Sequence, residues 1–124
     1  MSILEDLESQ KHISLETYKK NNQPVKTPVW LVIQNDLIYV ITREGTGKVK
    51  RIKNNPQVKF TPCTFKGKTT GEWFSGNASK VIGEEAKNAI KLRKKKYGFR
   101  AIIAQFAIRG KGDLVVFSIK LENS

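Results

Sequence analysis

The chain carries one cysteine, Cys63, and one histidine, His12. A lone cysteine forms no internal disulfide and fits a reducing compartment. One histidine and one cysteine are too few ligands for a zinc site. A Ser-His-Asp or Cys-His nucleophile would have to recruit His12, close to the N-terminus, so such a catalyst is not expected. Acidic residues are also scarce: 11 Asp and Glu stand against 23 Lys and Arg, a formal net charge of +12. No apolar run approaches the ~20 residues that span a bilayer. The longest, residues 101–108, is broken by Gln105. The segment MSILEDLESQK is acidic and lacks the charged-then-apolar layout of a secretory signal, so a cytoplasmic location is expected.

What is present describes one small domain of 124 residues with a modest core. The positive excess calls for an anionic partner. Charge alone leaves three classes open: nucleic acid, an acidic membrane surface and a phosphorylated small molecule. A membrane role has no support beyond charge. A hydrophobic content of 39% excludes a disordered tail.

Periodicity organises the chain into short elements. Residues 2–9 read as one or two helical turns capped by Ser2. Residues 12–19 alternate as a strand. Residues 25–34 read as one longer strand, with Val25, Thr27, Val29, Leu31 and Ile33 on one side and Lys26, Pro28, Trp30 and Val32 on the other. Asn35-Asp36 makes a tight hairpin into a strand over 37–42. Residues 47–54 form a short helix anchored by Val49 and Ile52 and ended by Pro56. Strands follow at 57–65 and 72–82, the second bent or bulged at Gly76, with a turn at Lys66-Gly67-Lys68 between them. Gly83 opens a long helix with Glu84 and Glu85 in its first turn and Arg93–Lys96 as a solvated basic end. Residues 100–108 fit a helix or a strand, and 113–121 form a last strand. Six antiparallel strands, one long helix and one or two short ones predict a mainly β fold, a small barrel.

The stretch TREGTGKVKRIKNNP, residues 42–56, carries the chemistry. A strand ends at Thr42; a glycine turn, a hydroxyl at Thr46 and Lys48 directly after Gly47 compose a phosphate cradle. Glycine lets backbone N–H groups turn toward an anion, a helix starting at Gly47 adds its positive end, and Lys48, Lys50 and Arg51 add charge. The same composition also fits a solvated basic helix joining two strands. It is not a Walker A loop, because position 42 is Thr and position 49 is Val where that pattern needs Gly and Ser or Thr. GxGxxG is absent as well. Trp30 and Trp73 read as packing aromatics, Tyr39 and Phe60 as core, and Cys63 as a small buried hydrophobe.

The runs QPVKTPVW (23–30), IYVIT (38–42), TGKVKRIKNNPQVKF (46–60) and GEWFSGNASKVIG (71–83) together resemble the pyridoxamine-5'-phosphate-oxidase-like superfamily. Within it they are most similar to the flavin- and deazaflavin-dependent oxidoreductases. The resemblance implies a six-stranded antiparallel split β-barrel that forms a homodimer, with an anionic redox cofactor in a groove between subunits. It implies phosphate contacts from Thr42 and Lys48, with Thr46, Gly47, Lys50 and Arg51 beside them and Ile41 next to Thr42. Lys26, Thr27, Pro28, Val29 and Trp30 would border the ring system. The vitamin B6 oxidases have an arginine where this chain has Gly47, and their C-terminal Trp and Arg signature is missing from 113–124. Oxidation of pyridoxamine phosphate is therefore not expected.

Two cofactors remain, FMN and the deazaflavin coenzyme F-420. The deazaflavin has an anionic oligoglutamate tail, which suits the net charge and favours it; Lys66, Lys68 and Arg93–Lys96 are candidates to follow that tail. The implied chemistry is hydride transfer to an unknown acceptor. The cofactor would carry it, so no catalytic side chain is expected. A protein that holds the cofactor without catalysis fits the same residues. From another class, a basic nucleic-acid-binding β-barrel is the alternative, although Trp30, Tyr39 and Trp73 make no alternating aromatic stripe with basic neighbours.

Overall fold

The computed structural model describes residues 3–64, 68–69, 71–98 and 112–122. Its elements are α1 (Ile3–Glu8), β1 (Ile13–Tyr18), β2 (Pro24–Val29), β3 (Val32–Gln34), β4 (Leu37–Arg43), α2 (Gly47–Asn54), β5 (Gln57–Pro62), β6 (Phe74–Val81), α3 (Gly83–Tyr97) and β7 (Leu114–Leu121). All strand pairings are antiparallel, in the order β2-β1-β5-β6-β7-β4-β3. The fold is mainly β, as the alternation predicts. The proposed Ser2 cap, the ambiguous run 100–108 and Lys66-Gly67 lie outside the described residues.

Seven strands replace the expected six, because the single strand predicted over 25–34 is broken at Trp30-Leu31. β2 pairs with β1, whereas β3 pairs with β4 at the other edge of the sheet. Three Cα steps separate Val29 from Val32 and span at most about 11 Å. The sheet must therefore roll until its two edges nearly meet, giving a curled half-barrel. The break is held from outside the strand. The Leu31 N–H donates to the Tyr97 hydroxyl at 3.0 Å instead of to a neighbouring strand. The Leu31 carbonyl accepts from Lys96 Nζ at 3.1 Å and lies 2.9 Å from the Tyr97 hydroxyl. Tyr97 also stacks on Trp30, with ring centres 4.3 Å apart and planes 4° from parallel. Burial pushes the Tyr97 phenol up to about 12, so it stays a donor at all ordinary pH.

This arrangement gives a direct stability prediction. Tyr97→Phe keeps the stacked ring but strands the buried Leu31 N–H, which costs about 1–3 kcal/mol. Urea unfolding of the variant should show that loss at an unchanged slope; an unchanged midpoint would mean the N–H finds another partner.

One core cluster fills the inside of the roll. Ile13, Leu15, Ile38, Val40, Val58, Phe60, Phe117 and Ile119 meet there, and Val49 and Ile52 of α2 close one end. A second cluster lies outside, where α3 covers the sheet: Tyr39, Val116, Ala89 and Tyr97 pack with Val32. The Tyr39 hydroxyl donates to Glu85 Oε2 at 2.6 Å, which ties the start of α3 to β4. The hairpin at Asn35-Asp36 has φ of 54° and 63°, the positive pair that a two-residue loop needs.

Two readings of the sequence change here. Gly76 marks no bulge: it pairs in register with Val58 and Leu121. The reason for glycine is close approach, since a Cβ would lie 2.7 Å from Ile119 Cγ2 and 2.9 Å from the Lys120 carbonyl. The Arg93–Lys96 run is not uniformly solvated. Arg93 is buried at 5% exposure. Lys96 folds onto the carbonyls of Gln10 and Leu31.

Candidate anion site at the start of α2

β4 delivers Thr42 to one end of the roll, on the inward face it shares with Val40 by strand alternation. Thr42 is buried, and its Oγ1 stands 3.4 Å from Thr46 Oγ1. The Thr46 hydroxyl donates to the Arg43 carbonyl at 2.9 Å. Thr46 occupies the N-cap of α2 but makes no side-chain cap bond. The leading amides of the helix therefore keep their hydrogens for another acceptor.

The first turn of α2 holds no acidic residue. Cations gather there instead. Arg51 folds back across the helix start, its Nη1 only 2.7 Å from where a Cβ on Gly47 would sit. Its Nε donates to the fully buried Thr17 hydroxyl of β1 at 2.6 Å. Gly47 thus has a spatial reason, because a side chain would displace the guanidinium. Burial, and then the charge of Arg51, push the Lys48 ammonium below its ordinary value. Among the described residues the ion pairs are Lys26–Glu16, Lys53–Glu44 and Lys87–Glu84, and none includes Lys48 or Arg51. Two cations and the positive end of a helix thus share one place, and no ion pair among the described residues offsets them. That is the electrostatic signature of an anion site.

The structure brings Thr42, Thr46, Gly47, Lys48 and Arg51 together and adds Thr17, which sequence reasoning missed. Lys50 is exposed on α2. Ile41 lies on the opposite face of β4 from Thr42, against the cluster under α3. β2 splits by face. Thr27 stands opposite Leu15, so it shares the inward side with Thr17. Its Oγ1 is buried without a hydrogen-bond partner among the described residues. Lys26 lies on the other side, 4.0 Å from Glu16 and 5.0 Å from the centre of the Trp73 ring. Pro28 is exposed and Val29 buried.

Trp30 sits at the far end of the strand pair. From Thr17 to His12 is about 16 Å at the usual strand rise. There the indole Nε1 donates to His12 Nε2 at 3.1 Å. Trp30 and His12 line a cavity of about 750 Å³, together with Gln10, Lys11, Cys63 and Thr64. Cys63 is buried, and burial pushes its thiol up, away from reactive thiolate. Among the described residues no cluster of His, Cys, Asp or Glu could hold a metal ion. No helix among them is long and apolar enough to cross a membrane.

Comparison with known proteins places this geometry. The family model for pyridoxamine 5'-phosphate oxidase matches residues 2–124. No curated protein matches. Among solved structures, the haem storage protein HutZ of Vibrio cholerae superposes with a TM-score of 0.75 at 17% identity, covering 98% of this chain and 89% of that one. ChuZ of Campylobacter jejuni gives 0.73 at 20% identity, over 95% of this chain and 50% of that one. A conserved hypothetical protein of Mycobacterium tuberculosis gives 0.74 at 20% identity, over 99% and 82%. At these identities the structures establish a shared fold.

Proposed function

The chain belongs to the pyridoxamine 5'-phosphate oxidase family, and from that premise we propose that it binds a phosphorylated flavin or deazaflavin with the anionic end at the start of α2. The observation that carries this reading is the pair Lys48 and Arg51, in no ion pair among the described residues, at a helix start without a side-chain cap. A phosphate there gains the amides of residues 47–50, the Thr42 hydroxyl and two cations. The buried Thr27 hydroxyl, without a hydrogen-bond partner among the described residues, faces the same side and fits a polar atom of the ring system.

When bound, the ring supplies hydride chemistry. The protein's own work is positional. Thr17 orients Arg51, Gly47 leaves it room, and α2 is fixed to the core by Val49 and Ile52. The deazaflavin coenzyme F-420 is favoured over FMN because its longer anionic tail suits a chain of net charge +12. Of the cations expected to follow that tail, Lys68, Lys94 and Lys95 are exposed, Arg93 is buried and Lys96 is committed to carbonyls. Lys66 lies outside the described residues. A homodimer that closes the groove and transfers hydride to a small acceptor completes the proposal, with the cytoplasm as its setting.

Haem binding is second, prompted by the haem storage named for the Vibrio cholerae protein and by His12 in the large cavity. His12 Nε2 already accepts the Trp30 indole, so ligation through that atom requires the indole to let go. Nucleic-acid binding ranks below both, since two cations here crowd one helix start rather than tracking a strand surface.

Absorbance and fluorescence titrations with FMN, coenzyme F-420 and hemin test the order. The expected result is saturable binding of the deazaflavin, tighter than FMN. A Soret band lost in His12→Ala, with neither flavin bound, would replace this reading with the haem one.

A further inference from the structure

We propose that the cavity at the His12 end of the barrel is a second binding site, for a small aromatic carboxylate, separate from the anion site at α2. Three observations carry it. First, about 750 Å³ is the size of a small-molecule pocket. Second, it has a fixed aromatic wall. Trp30 is only half-buried, yet Tyr97 stacks on one face and His12 holds the indole nitrogen. Tyr97 is in turn locked by its hydroxyl to Leu31 and to the Lys11 carbonyl, 2.8 Å away. A flat ligand meeting the uncovered part of that indole loses little freedom on the protein side. Third, the charge on the lining has one sign. Lys11 is exposed there, and among the described residues no Asp or Glu lines the cavity. Gln10 and Thr64 add hydrogen-bonding groups at the rim.

An aromatic ring for the indole and an anionic group for Lys11 together define an aryl carboxylate. None of its residues belongs to the α2 cradle, although Trp30 is among the residues the family resemblance sets beside the cofactor ring and His12 is the residue of the haem reading.

The test uses sodium 2-naphthoate as probe and ¹⁵N-labelled full-length protein. The chain has two tryptophans, so two indole N–H signals appear, and Trp73→Phe assigns them. Titration should move the Trp30 indole and the amides of residues 10–12, and leave the amides of residues 46–50 in place. Inorganic phosphate should do the reverse. Trp30→Leu should weaken naphthoate at least tenfold. Because that change also removes the stack on Tyr97, Lys11→Glu serves as a surface variant and should weaken it about fivefold or more with the rest of the spectrum unchanged. An unmoved Trp30 indole, or equal naphthoate affinity in wild type and Lys11→Glu, overturns the proposal. Loss of phosphate shifts at 46–50 would instead count against the α2 site alone.

Discussion

Lys48→Met is expected to weaken binding of the phosphorylated cofactor roughly 10- to 150-fold and, in the same protein, to raise the thermal midpoint of the unliganded form. A charge-assisted hydrogen bond to phosphate contributes about 1.5–3 kcal/mol, which sets the affinity range. The rise in stability follows from the site itself. Lys48 is half-buried beside Arg51 at the positive end of α2, and both burial and Arg51 disfavour its charge. Methionine keeps the apolar stem and removes the charge. The pH dependence has a definite sign. The folded pKa lies below the ordinary value of 10.5, so the charged form is penalised in the fold at all lower pH. The gain from Lys48→Met is therefore full at neutral pH and disappears as the wild-type ammonium loses its proton in alkali. A stabilised variant with undiminished binding would make Lys48 a bystander. A destabilised one would mean that its stem or an unseen partner matters more than its charge.

The second large effect concerns the scaffold. Gly76→Ala should destabilise the fold by about 3 kcal/mol, at the upper end of the usual overpacking range. The new methyl would lie 2.9 Å from a backbone oxygen, Lys120 O, and 2.7 Å from a methyl of the fully buried Ile119. Neither neighbour can step aside as a long side chain could, because β6 and β7 are paired along their length. Gly47→Ala is the instructive contrast. Its methyl would meet only the tip of Arg51, so the fold should tolerate it while the guanidinium leaves Thr17. Chemical denaturation of both variants separates the cases: a large drop for Gly76→Ala and a small change for Gly47→Ala. A mild effect at Gly76 would mean that the two strands part locally at little cost.

Much of this architecture is written locally. Alternation marks β1, β4, β5, β6 and β7. The Gly83 start with Glu84 and Glu85 marks α3, and Val49 with Ile52 marks the face of α2. The cradle residues Thr42, Thr46, Gly47, Lys48 and Arg51 were legible because strand end, glycine and cations adjoin in the chain. What stayed hidden depends on distant partners. Residues 25–34 alternate well enough for one strand; the break at Trp30-Leu31 exists because Tyr97, 66 residues later, takes over the hydrogen bonds of Leu31. Thr17 looks like any inward strand residue until Arg51, 34 positions on, reaches it. The basic end of α3 reads as solvated, and only packing reveals Arg93 as buried. Gly76 suggested a bulge because a glycine in a strand carries the same signature whether the chain bends or a neighbour comes close.

The most direct measurement is amide chemical-shift mapping of the ¹⁵N-labelled protein as coenzyme F-420, and separately FMN, is added. If the phosphate end docks as proposed, the amides of Gly47 to Lys50 shift first and furthest, and Lys48→Met shifts the titration to higher ligand concentration. Saturable binding of either compound with those four amides undisturbed would contradict the account.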